Sequence, residues 1–370
     1  MINFNKNSLN QRLHTIFSYA LDKGVFPGAA VGISLWNGNQ YQRKIDHYGL
    51  AQIYPQKIKL TSVTAFDLAS LTKPLATVPA LLALMNKGQL NWETNLKYIF
   101  PGEIGEDKAD ITIKQLMNHC SGLPSHRDYF KELLTLPDNK KKSLFTWIVQ
   151  EKLQYQPGSD WLYSDLGFLL LGYIIEKISA RNLAEYIKEE IYRPIKLQDS
   201  LFFSDQEPKE QIYAATEICP WTGQILSGMV HDDNCRALGG VAGHAGLFGT
   251  IEGVLQWCEY LLSQLKERKT HPAFANELLK KAVKKEQNSN WTPGFDTPSP
   301  TDSSSGRFLS SSAFGHLGFT GTSFWIDPQK ELIIVLLTNR VHPSRQNELI
   351  RQFRPLFHDT ILQSLYGYKK

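Results

Sequence analysis

Segments with the pattern of β-strands lie near both ends of the sequence, and a long helical region separates them. Residues 29–36 form an apolar run that ends at Asn37-Gly38, a dipeptide typical of tight hairpin turns, and a second strand is expected over 41–48. Two further strands are expected over 318–326 and 332–338. Because strands become stable when they pair into a sheet with a buried face, we expect the two ends of the chain to form one sheet together.

The middle of the sequence is mostly helical. From Lys73 to about Glu190, apolar residues recur at helical spacing in segments that Gly, Pro, Asn and Asp residues separate. A helix is also expected near each terminus. We therefore predict an α/β fold, with an antiparallel sheet flanked by helices and a mainly helical domain inserted. Residues 1–75 and 240–370 would form the α/β domain and residues 76–239 the helical domain, with a catalytic cleft at their junction.

The composition is that of an ordinary globular protein, and it narrows the class of partner. The 370 residues are 42% hydrophobic and 21% charged, and the net charge is only +4. No basic block is interleaved with aromatic residues, so a nucleic acid partner is not expected. No apolar run approaches the length of a membrane span, and the first eight residues lack the apolar core of a secretory signal, which favours a cytoplasmic location. Buried free thiols are expected for the widely spaced cysteines, Cys120, Cys219, Cys235 and Cys258.

Ser70-Leu71-Thr72-Lys73 places a hydroxyl and an amine one helical turn apart. Residues three apart on a helix lie on the same face, so the two side chains would be neighbours. A serine becomes an effective nucleophile when a base takes its proton, and a lysine with a lowered pKa can be that base. Pro74, at the start of the following apolar run, is tolerated only in the first turn of a helix. We therefore expect Ser70 near a helix N-terminus, where free N–H groups favour developing negative charge.

Two further segments carry residues that suit the same chemistry. Tyr163 lies in a loop between Pro157-Gly158 and an apolar helix, and such a tyrosine can relay protons when nearby cations lower its pKa. His316 lies in a glycine-rich segment at the expected start of a strand, where small residues such as Gly318 let a substrate lie against the strand edge. It could supply a hydrogen bond, or a cation near neutral pH. Taken alone, Tyr163 is also explained by loop packing and His316 by a β-bulge.

Together, the three segments resemble in order and spacing the motifs of the class C β-lactamase-related serine hydrolases. That family includes β-lactamases, family VIII carboxylesterases, D-aminopeptidases and DD-peptidase-like proteins, and its motifs are Ser-x-x-Lys, Tyr-x-Asn and Lys-Thr-Gly or His-x-Gly. The corresponding segments of this chain are Ser70-Leu71-Thr72-Lys73, Tyr163-Ser164-Asp165 and His316-Leu317-Gly318. Further stretches that resemble the family are 26–31, 116–124 and 238–248. The resemblance extends over about residues 10–365 and implies a β-lactamase/transpeptidase-like fold.

The resemblance also implies roles for individual residues. It implies a serine hydrolase that forms an acyl-enzyme at Ser70 and uses no metal or other cofactor. Lys73 would keep Ser70 activated, and Tyr163 would exchange protons with the nucleophile and the leaving group. His316 would stand at the position of the third-motif lysine or histidine. The oxyanion hole would consist of the backbone N–H groups of Ser70 and Phe319.

Two residues depart from the β-lactamase pattern. Asp165 replaces an asparagine that donates a hydrogen bond to the substrate, whereas a carboxylate only accepts and adds negative charge near Lys73. His316 replaces a lysine that attracts the β-lactam carboxylate, and a neutral imidazole would do so weakly. Both changes argue against efficient β-lactam hydrolysis.

The substrates that remain are small esters, D-amino-acid amides and peptides, or fragments of peptidoglycan. The alternative is a penicillin-binding or sensor-like protein with little turnover, or a weak β-lactamase. The sequence leaves the natural substrate and the oligomeric state open.

Other polar segments have more than one interpretation. His231, Asp232 and His244 fit no standard spacing of metal ligands, so a hydrogen-bonded loop or a position on the wall of the cleft is preferred to a metal site. The segment 287–312, rich in Ser, Pro and Thr, is either a surface loop, which we prefer, or part of the active-site rim.

Three polar residues near the motifs have no assigned catalytic role. We expect His119 to make a structural hydrogen bond. For Arg340 and His342, which follow a strand end, the rim of the cleft and a solvated turn are both open.

Overall fold

A computed structural model describes residues 7–203, 211–286, 289 and 291–368. The first part of the described chain consists of α1 (Asn7–Asp22), β1 (Gly28–Trp36), β2 (Tyr41–Gln52), β3 (Ile58–Lys59), β4 (Phe66–Asp67), a 3₁₀ turn (Ala69–Leu71), a π-helical turn (Lys73–Thr77) and α2 (Val78–Asn86). The middle part consists of α3 (Leu96–Ile99), α4 (Glu106–Ala109), α5 (Ile113–Met117), α6 (Phe130–Leu133), α7 (Lys140–Gln150), α8 (Asp165–Ser179), α9 (Leu183–Ile187), a π-helical turn (Lys188–Tyr192), a 3₁₀ turn (Arg193–Ile195), β5 (Leu201–Phe203) and α10 (Asp233–Ala237). The last part consists of β6 (Leu247–Gly249), α11 (Ile251–Leu265), α12 (Asn276–Ala282), β7 (Trp291–Thr292), β8 (Phe295–Asp296), β9 (Phe314–Leu317), β10 (Ser323–Asp327), β11 (Leu332–Thr338) and α13 (Ile350–Tyr366).

The main sheet joins the two ends of the chain. In the part that the structure describes, eight strands pair antiparallel in the order β3-β2-β1-β11-β10-β9-β8-β7. The central pair, β1 and β11, is in register from Ala29 opposite Thr338 to Leu35 opposite Leu332. The prediction that strands from both termini form one antiparallel sheet is therefore confirmed. A short second sheet, in the order β4-β6-β5, lies beside the turn that carries Ser70.

Helices cover both faces of the main sheet. On one face α1 and α13 pack together, and their side chains Leu13, Phe17 and Phe357 are fully buried against it. Burying an apolar side chain of this size stabilises the fold by about 1.5–3 kcal/mol. On the other face α11 lies over Gly32, where an added Cβ would meet the Ile251 side chain at 3.3 Å. The predicted class, an antiparallel sheet flanked by helices, is confirmed.

The helices from α2 to α10 lie between the N-terminal strands and β6, as the sequence pattern indicates. Their apolar side chains and those of α11 belong to one continuous core cluster. The division into domains at residues 75 and 239 stays a prediction. Among the described residues, no helix has both the length and the apolar character that crossing a membrane requires. All four cysteines of the sequence are buried and unpaired, as predicted.

Two segments differ from their predicted structure. The strand expected over 318–326 is a turn followed by β10, because Gly318 N–H donates to Thr322 O at 2.7 Å and Gly321 has a φ of +99°. His316 therefore lies within β9, before the turn and opposite Phe324, and not at the start of a long strand. The segment 287–312 contains β7 and β8, whereas residues 287, 288 and 290 lie outside the described residues, as do most of the first eight.

Candidate active site

Ser70 lies in the tight turn that follows β4. The residue before it, Ala69, has a φ of +49°, in the left-handed region that alanine rarely adopts. Asp67 holds this backbone, since its Oδ1 accepts a hydrogen bond from Ala69 N–H at 2.8 Å. Helical turns begin here, as predicted for Ser70, but Lys73–Thr77 is wound as a π-helical turn and the regular helix begins only at Val78.

The Lys73 ammonium lies at the centre of the site. Its Nζ donates to Ser70 Oγ at 3.0 Å and to Tyr163 OH at 2.6 Å. It also forms an ion pair with Asp165 Oδ1 at 2.7 Å, and the carbonyl of His244 lies 3.3 Å away. The Lys73 side chain is fully buried. The structure thus brings the first two predicted motifs into direct contact, although 90 or more residues of sequence separate the contacting side chains.

Asp165 sets the charge of Lys73. Burial lowers the pKa of Lys73, but the Asp165 charge and the hydrogen bonds to Asp165 and Tyr163 outweigh it, and the net pKa is raised. In turn, burial raises the pKa of Asp165, but the Lys73 charge outweighs it and holds that pKa well below its usual range. The expectation of a lysine with a lowered pKa is therefore wrong. Lys73 is an ammonium at neutral pH and takes no proton from Ser70 until it has lost one.

Tyr163 is hydrogen-bonded to Lys73, and its ring packs against the rings of His119 and Trp291. Burial raises the pKa of Tyr163, and the nearby Lys73 charge offsets this only in part, so the expected lowering is also wrong. The loop is held by His119, whose Nδ1 accepts from Ser164 N–H at 3.1 Å and whose ring lies 4.6 Å from the Tyr163 ring between centroids. The structural role predicted for His119 is confirmed.

His316, in β9, is a neutral imidazole. Burial lowers its pKa to about 3, so the predicted alternative of a cation near neutral pH is wrong. Its Nδ1 lies 2.8 Å from the carbonyl of Leu317 and donates to it. Nε2 is then the acceptor nitrogen, and it is buried with no partner among the residues that the structure describes. His316 can therefore accept a hydrogen bond but cannot pair with a carboxylate.

The turn after β9 is hydrogen-bonded to the turn that carries Ser70. Thr320 Oγ1 donates to the carbonyl of Asp67 at 2.8 Å, and Thr322 Oγ1 donates to the carbonyl of Leu68 at 3.1 Å. Gly318 leaves room for this contact, because a Cβ there would lie 2.0 Å from Thr322 Oγ1 and 2.8 Å from the Leu68 carbonyl. These bonds fix the third motif against the nucleophile.

Two cavities meet at Ser70. Both are lined by Ser70, Tyr163 and the half-exposed Phe319, the residue after Gly318. The two residues whose amides are predicted to form the oxyanion hole, Ser70 and Phe319, thus line the same cavities. The oxyanion hole itself stays a prediction.

The first cavity, of about 300 Å³, is rich in arginine. Arg340 Nε donates to the carbonyl of Phe319 at 2.8 Å, and Arg354 Nη2 donates to the carbonyls of Gly318 and Thr322, each at 2.8 Å. Both arginines are only 6% exposed, and neither forms an ion pair within the described part of the chain. Burial lowers the pKa of Arg354 to about 9, so it still carries its charge at neutral pH. Of the two positions left open for Arg340, the rim of the cleft is the one observed.

Sequence reasoning did not single out Arg354. A signal was present, because the arginine lies on α13 beside Phe353 and four residues before His358, within the buried stripe of that helix. A buried arginine needs a partner, so such a position indicates either a carbonyl cluster or a ligand. By contrast, His342 lies outside both cavities; its Nδ1 donates to the carbonyl of Thr216 and its Nε2 accepts from Ile53 N–H.

The second cavity, of about 320 Å³, is lined by acidic residues and histidines. His244 Nε2 lies 2.9 Å from Asp232 Oδ1, and His231 stacks on Phe319 with 5.5 Å between ring centroids. The position of His231, Asp232 and His244 on the cleft wall is thus confirmed. Within the described residues, no group of three or more His, Cys, Asp or Glu is arranged to hold a metal ion. His126, which sequence reasoning missed, lies 3.6 Å from Asp165, and this contact raises its pKa.

The preferred interpretation of 287–312 as a plain surface loop is incomplete. Trp291 and Asp296, in β7 and β8, line the arginine-rich cavity. The Trp291 ring lies 5.6 Å from the Tyr163 ring and 5.1 Å from the His119 ring. Part of this segment therefore forms the rim of the active site.

Comparison with known proteins gives the family. The family model described as Beta-lactamase matches residues 13–355, so the chain belongs to the Beta-lactamase family. A protein of Escherichia coli K12 that carries the proposed name D-alanyl-D-alanine carboxypeptidase is 31% identical over 92% of this chain and 84% of its own length. A protein of Salmonella typhi with the same proposed name is 30% identical over 82% of this chain and 74% of its own length.

Solved structures share the fold at low sequence identity. The octameric penicillin-binding protein homologue from Pyrococcus abyssi superposes with a TM-score of 0.73 at 19% identity, over 97% of this chain and 78% of that chain. EstCE1, a hydrolase with promiscuous acyltransferase activity, gives a TM-score of 0.71 at 20% identity, over 95% of this chain and 100% of that chain. These similarities confirm the β-lactamase/transpeptidase-like fold, and the family membership makes the protein a serine hydrolase.

Proposed function

We propose that the protein forms an acyl-enzyme at Ser70 and hydrolyses small peptides or amides that end in a D-amino acid with a free carboxylate, with small esters as further substrates. The observation that carries this proposal is the position of Lys73 Nζ, within hydrogen-bond distance of both Ser70 Oγ and Tyr163 OH. Nucleophile, amine and phenol are thereby linked in one buried chain of proton-transfer groups.

Acylation requires that this chain first lose a proton. Because the pKa values of Lys73 and Tyr163 are both raised, the pair is fully protonated at neutral pH in the free protein. The singly deprotonated pair can then take the Ser70 proton as Oγ attacks the substrate carbonyl carbon. The amides of Ser70 and Phe319 would stabilise the oxyanion, and Tyr163 would return the proton to the leaving amine.

The arginine-rich cavity supports a substrate with a negative charge. Arg340 and Arg354 are buried beside His316, donate only to backbone carbonyls, and have no carboxylate partner among the described residues. A carboxylate that enters this cavity would complete their hydrogen bonding and offset their charge. His316 is neutral, so recognition of a substrate carboxylate falls to the arginines. The proposed name of the Escherichia coli relative agrees with this substrate class.

Covalent labelling tests the proposal. Wild-type protein, Ser70→Ala and the exposed-site control Ser311→Ala are treated with a fluorophosphonate or a fluorescent penicillin, digested and analysed by mass spectrometry. We expect an adduct on the peptide containing Ser70 in the wild type and in Ser311→Ala, and none in Ser70→Ala. Turnover of p-nitrophenyl esters and of D-alanyl-D-alanine peptides should fall at least about 10³-fold in Ser70→Ala.

Ester turnover that is unchanged in Ser70→Ala would show that hydrolysis does not proceed through an acyl-enzyme at Ser70. A penicilloyl adduct that persists for hours, with no hydrolysis of any peptide, amide or ester, would favour the penicillin-binding or sensor-like alternative. Rapid hydrolysis of nitrocefin would show instead that Asp165 and His316 do not exclude β-lactams.

A further inference from the structure

The helical turn that carries Lys73 is not held by a complete α-helical ladder of hydrogen bonds. Pro74 and Pro79 each lack the N–H that an α-helix would use to bond the carbonyl four residues back. The turn Lys73–Thr77 is instead wound as a π-helix, in which Val78 N–H donates to the carbonyl of Lys73, five residues back. Contacts with other segments therefore contribute to holding this turn in place.

Two threonine hydroxyls connect the turn to residues 243–247, which we call the wall segment. Thr77 Oγ1 donates to the carbonyl of Gly243 at 2.6 Å, and Thr72 Oγ1 accepts from Leu247 N–H at 3.1 Å. Thr72 Oγ1 also donates to the carbonyl of Ala69 at 2.7 Å. Both threonines are fully buried. The wall segment is thus hydrogen-bonded to the nucleophile turn at both of its ends.

The π-helical winding explains how both hydroxyls reach one segment. In a regular α-helix, residues five apart, such as Thr72 and Thr77, point about 140° away from each other. A π-helical turn bonds residue i to residue i+5, so side chains five apart come closer to alignment. A threonine within a helix commonly bonds the carbonyl four residues back in its own helix. The Thr77 hydroxyl bonds the wall segment instead.

The threonine contacts lie directly beside the reacting groups. The backbone carbonyl of His244, in the wall segment, lies 3.3 Å from Lys73 Nζ. Ala69, whose carbonyl accepts from Thr72, precedes Ser70 and has the unusual φ of +49°. A shift of either threonine contact would therefore change the position of Lys73 Nζ relative to Ser70 Oγ, which is 3.0 Å away.

We propose that Thr72 and Thr77 are positioning residues for acylation, whose hydroxyls hold the wall segment against the π-helical turn and so fix the Lys73 amine beside Ser70. This rests on the proposed acyl-enzyme at Ser70. Neither threonine is among the described residues that line the two cavities, so each acts through Lys73 and not on the substrate. Misalignment of Lys73 slows proton transfer from Ser70 without changing how the substrate binds.

The test measures acylation in Thr72→Val, Thr77→Val and the corresponding serine variants. Valine keeps the shape of threonine and removes the hydroxyl, whereas serine keeps the hydroxyl. The rate constant of the p-nitrophenol burst from a p-nitrophenyl ester is recorded from pH 5 to 10. It does not depend on any unfolded fraction, which lowers only the amplitude of the burst. Urea denaturation measures stability. The control Ser34→Ala removes a buried hydrogen bond to Glu259 in β1, outside both cavities.

We expect the maximal burst rate constant to fall about 10-fold in each valine variant, while the substrate concentration that gives half of it is unchanged. The ascending limb of the pH profile should move to lower pH. Its contacts with Asp165 and Tyr163 raise the pKa of Lys73, and they are weakened in these variants while its burial remains. The serine variants should keep the wild-type rate constant and profile. Ser34→Ala should be less stable than wild type and also keep both.

Two results would overturn the proposal: valine variants that lose stability but keep the wild-type rate constant and pH profile, or serine variants as slow as the valine variants. Ser70→Ala, measured alongside, separates this failure from that of the proposed function. If Ser70→Ala still turns over ester without an adduct, the acyl-enzyme itself is wrong. If the adduct depends on Ser70 but forms at the normal rate in the valine variants, only the role of the two threonines is wrong.

Discussion

One carboxylate determines the protonation state of the nucleophilic centre. Asp165 lies 2.7 Å from Lys73 Nζ, and its charge outweighs the burial that would otherwise make Lys73 a base. The sequence indicated that a carboxylate at this position adds negative charge near Lys73. It did not indicate that this charge reverses the direction of the pKa shift, because that depends on a 2.7 Å contact between side chains that are 92 residues apart.

Replacing this carboxylate by its neutral isostere should move the pH dependence of acylation to lower pH. In Asp165→Asn the burial of Lys73 remains while the charge that raises its pKa is gone, so the pKa of Lys73 falls. The ascending, low-pH limb of the pH profile of the burst rate should shift to lower pH by about 1–3 units, and the rate at neutral pH should rise. The measurement is the burst rate of a p-nitrophenyl ester from pH 5 to 10, with the exposed-site variant Asp138→Asn as control. Superimposable pH profiles for Asp165→Asn and wild type would show that the charge of Asp165 does not set the pKa of Lys73.

The two buried arginines should select substrates by their charge. We expect Arg340→Gln and Arg354→Gln to raise KM at least about 10-fold for a D-alanyl peptide with a free carboxylate, because a charge-assisted hydrogen bond is lost. KM for the same peptide with a terminal carboxamide should change little. Comparing the acid and the amide in each variant controls for a general distortion of the site, which would weaken both. Equal changes in KM for the two peptides would show that the arginines are structural.

At the scale of elements, the sequence predicts the helices and the hairpin that have a clear periodicity or turn signal. It misses the tight turn within 318–326. The β1–β2 hairpin, α11 and α13 lie where periodicity and the Asn37-Gly38 signal place them, with ends displaced by a few residues. The segment 318–326 was mispredicted because its apolar and small residues match a strand, whereas two glycines allow a tight turn. His126 was missed because it acquires its role only through contacts with another element. The position of Arg354 in the buried stripe of α13 indicates that it has a partner, but not that its partners are the carbonyls of Gly318 and Thr322.

α8 packs closely against the segment that carries His244. Two glycines make this close contact possible, Gly172 of α8 and Gly243. A Cβ at Gly243 would lie 2.2 Å from the carbonyl of Phe168 and 2.9 Å from Gly172 N, and these are backbone atoms that cannot move aside. We expect Gly243→Ala to lower the free energy of unfolding by about 1–3 kcal/mol and to reduce activity by displacing His244.

The matched control is Gly167→Ala, which lies in α8 itself. There the atom nearest to an added Cβ is 3.6 Å away. This variant should be neutral or more stable by up to about 1 kcal/mol, since alanine favours a helix interior over glycine. Urea denaturation of the three proteins measures both effects. Equal stability of Gly243→Ala and Gly167→Ala would show that α8 can move to accommodate the added methyl group.

At the scale of the whole molecule, the fold gathers the site from distant parts of the chain. The pairing of β1 with β11 closes the two ends into one sheet, and the turn after β9 is thereby held against the Ser70 turn. The wall that carries Asp232 and His244 comes from the segment that returns the chain to β6. The order of motifs predicted that Ser70, Lys73 and Tyr163 meet, but no local pattern reveals which residues of the other segments reach them.

The contact between sheet and nucleophile turn should control the oxyanion hole. Thr320 and Thr322 donate to the carbonyls of Asp67 and Leu68, which are more than 250 residues earlier in sequence. Valine has nearly the same shape but cannot donate, so Thr320→Val and Thr322→Val should loosen the position of the Phe319 amide relative to Ser70. We expect kcat to fall about 10-fold or more with little change in KM, because the lost alignment matters mainly in the transition state.

The corresponding serine variants keep the hydroxyl donor and should retain most of the activity. A boronic acid inhibitor should bind more weakly to the valine variants alone. Serine variants as impaired as the valine variants would show that packing of the methyl groups, and not the two hydrogen bonds, joins the sheet to the nucleophile.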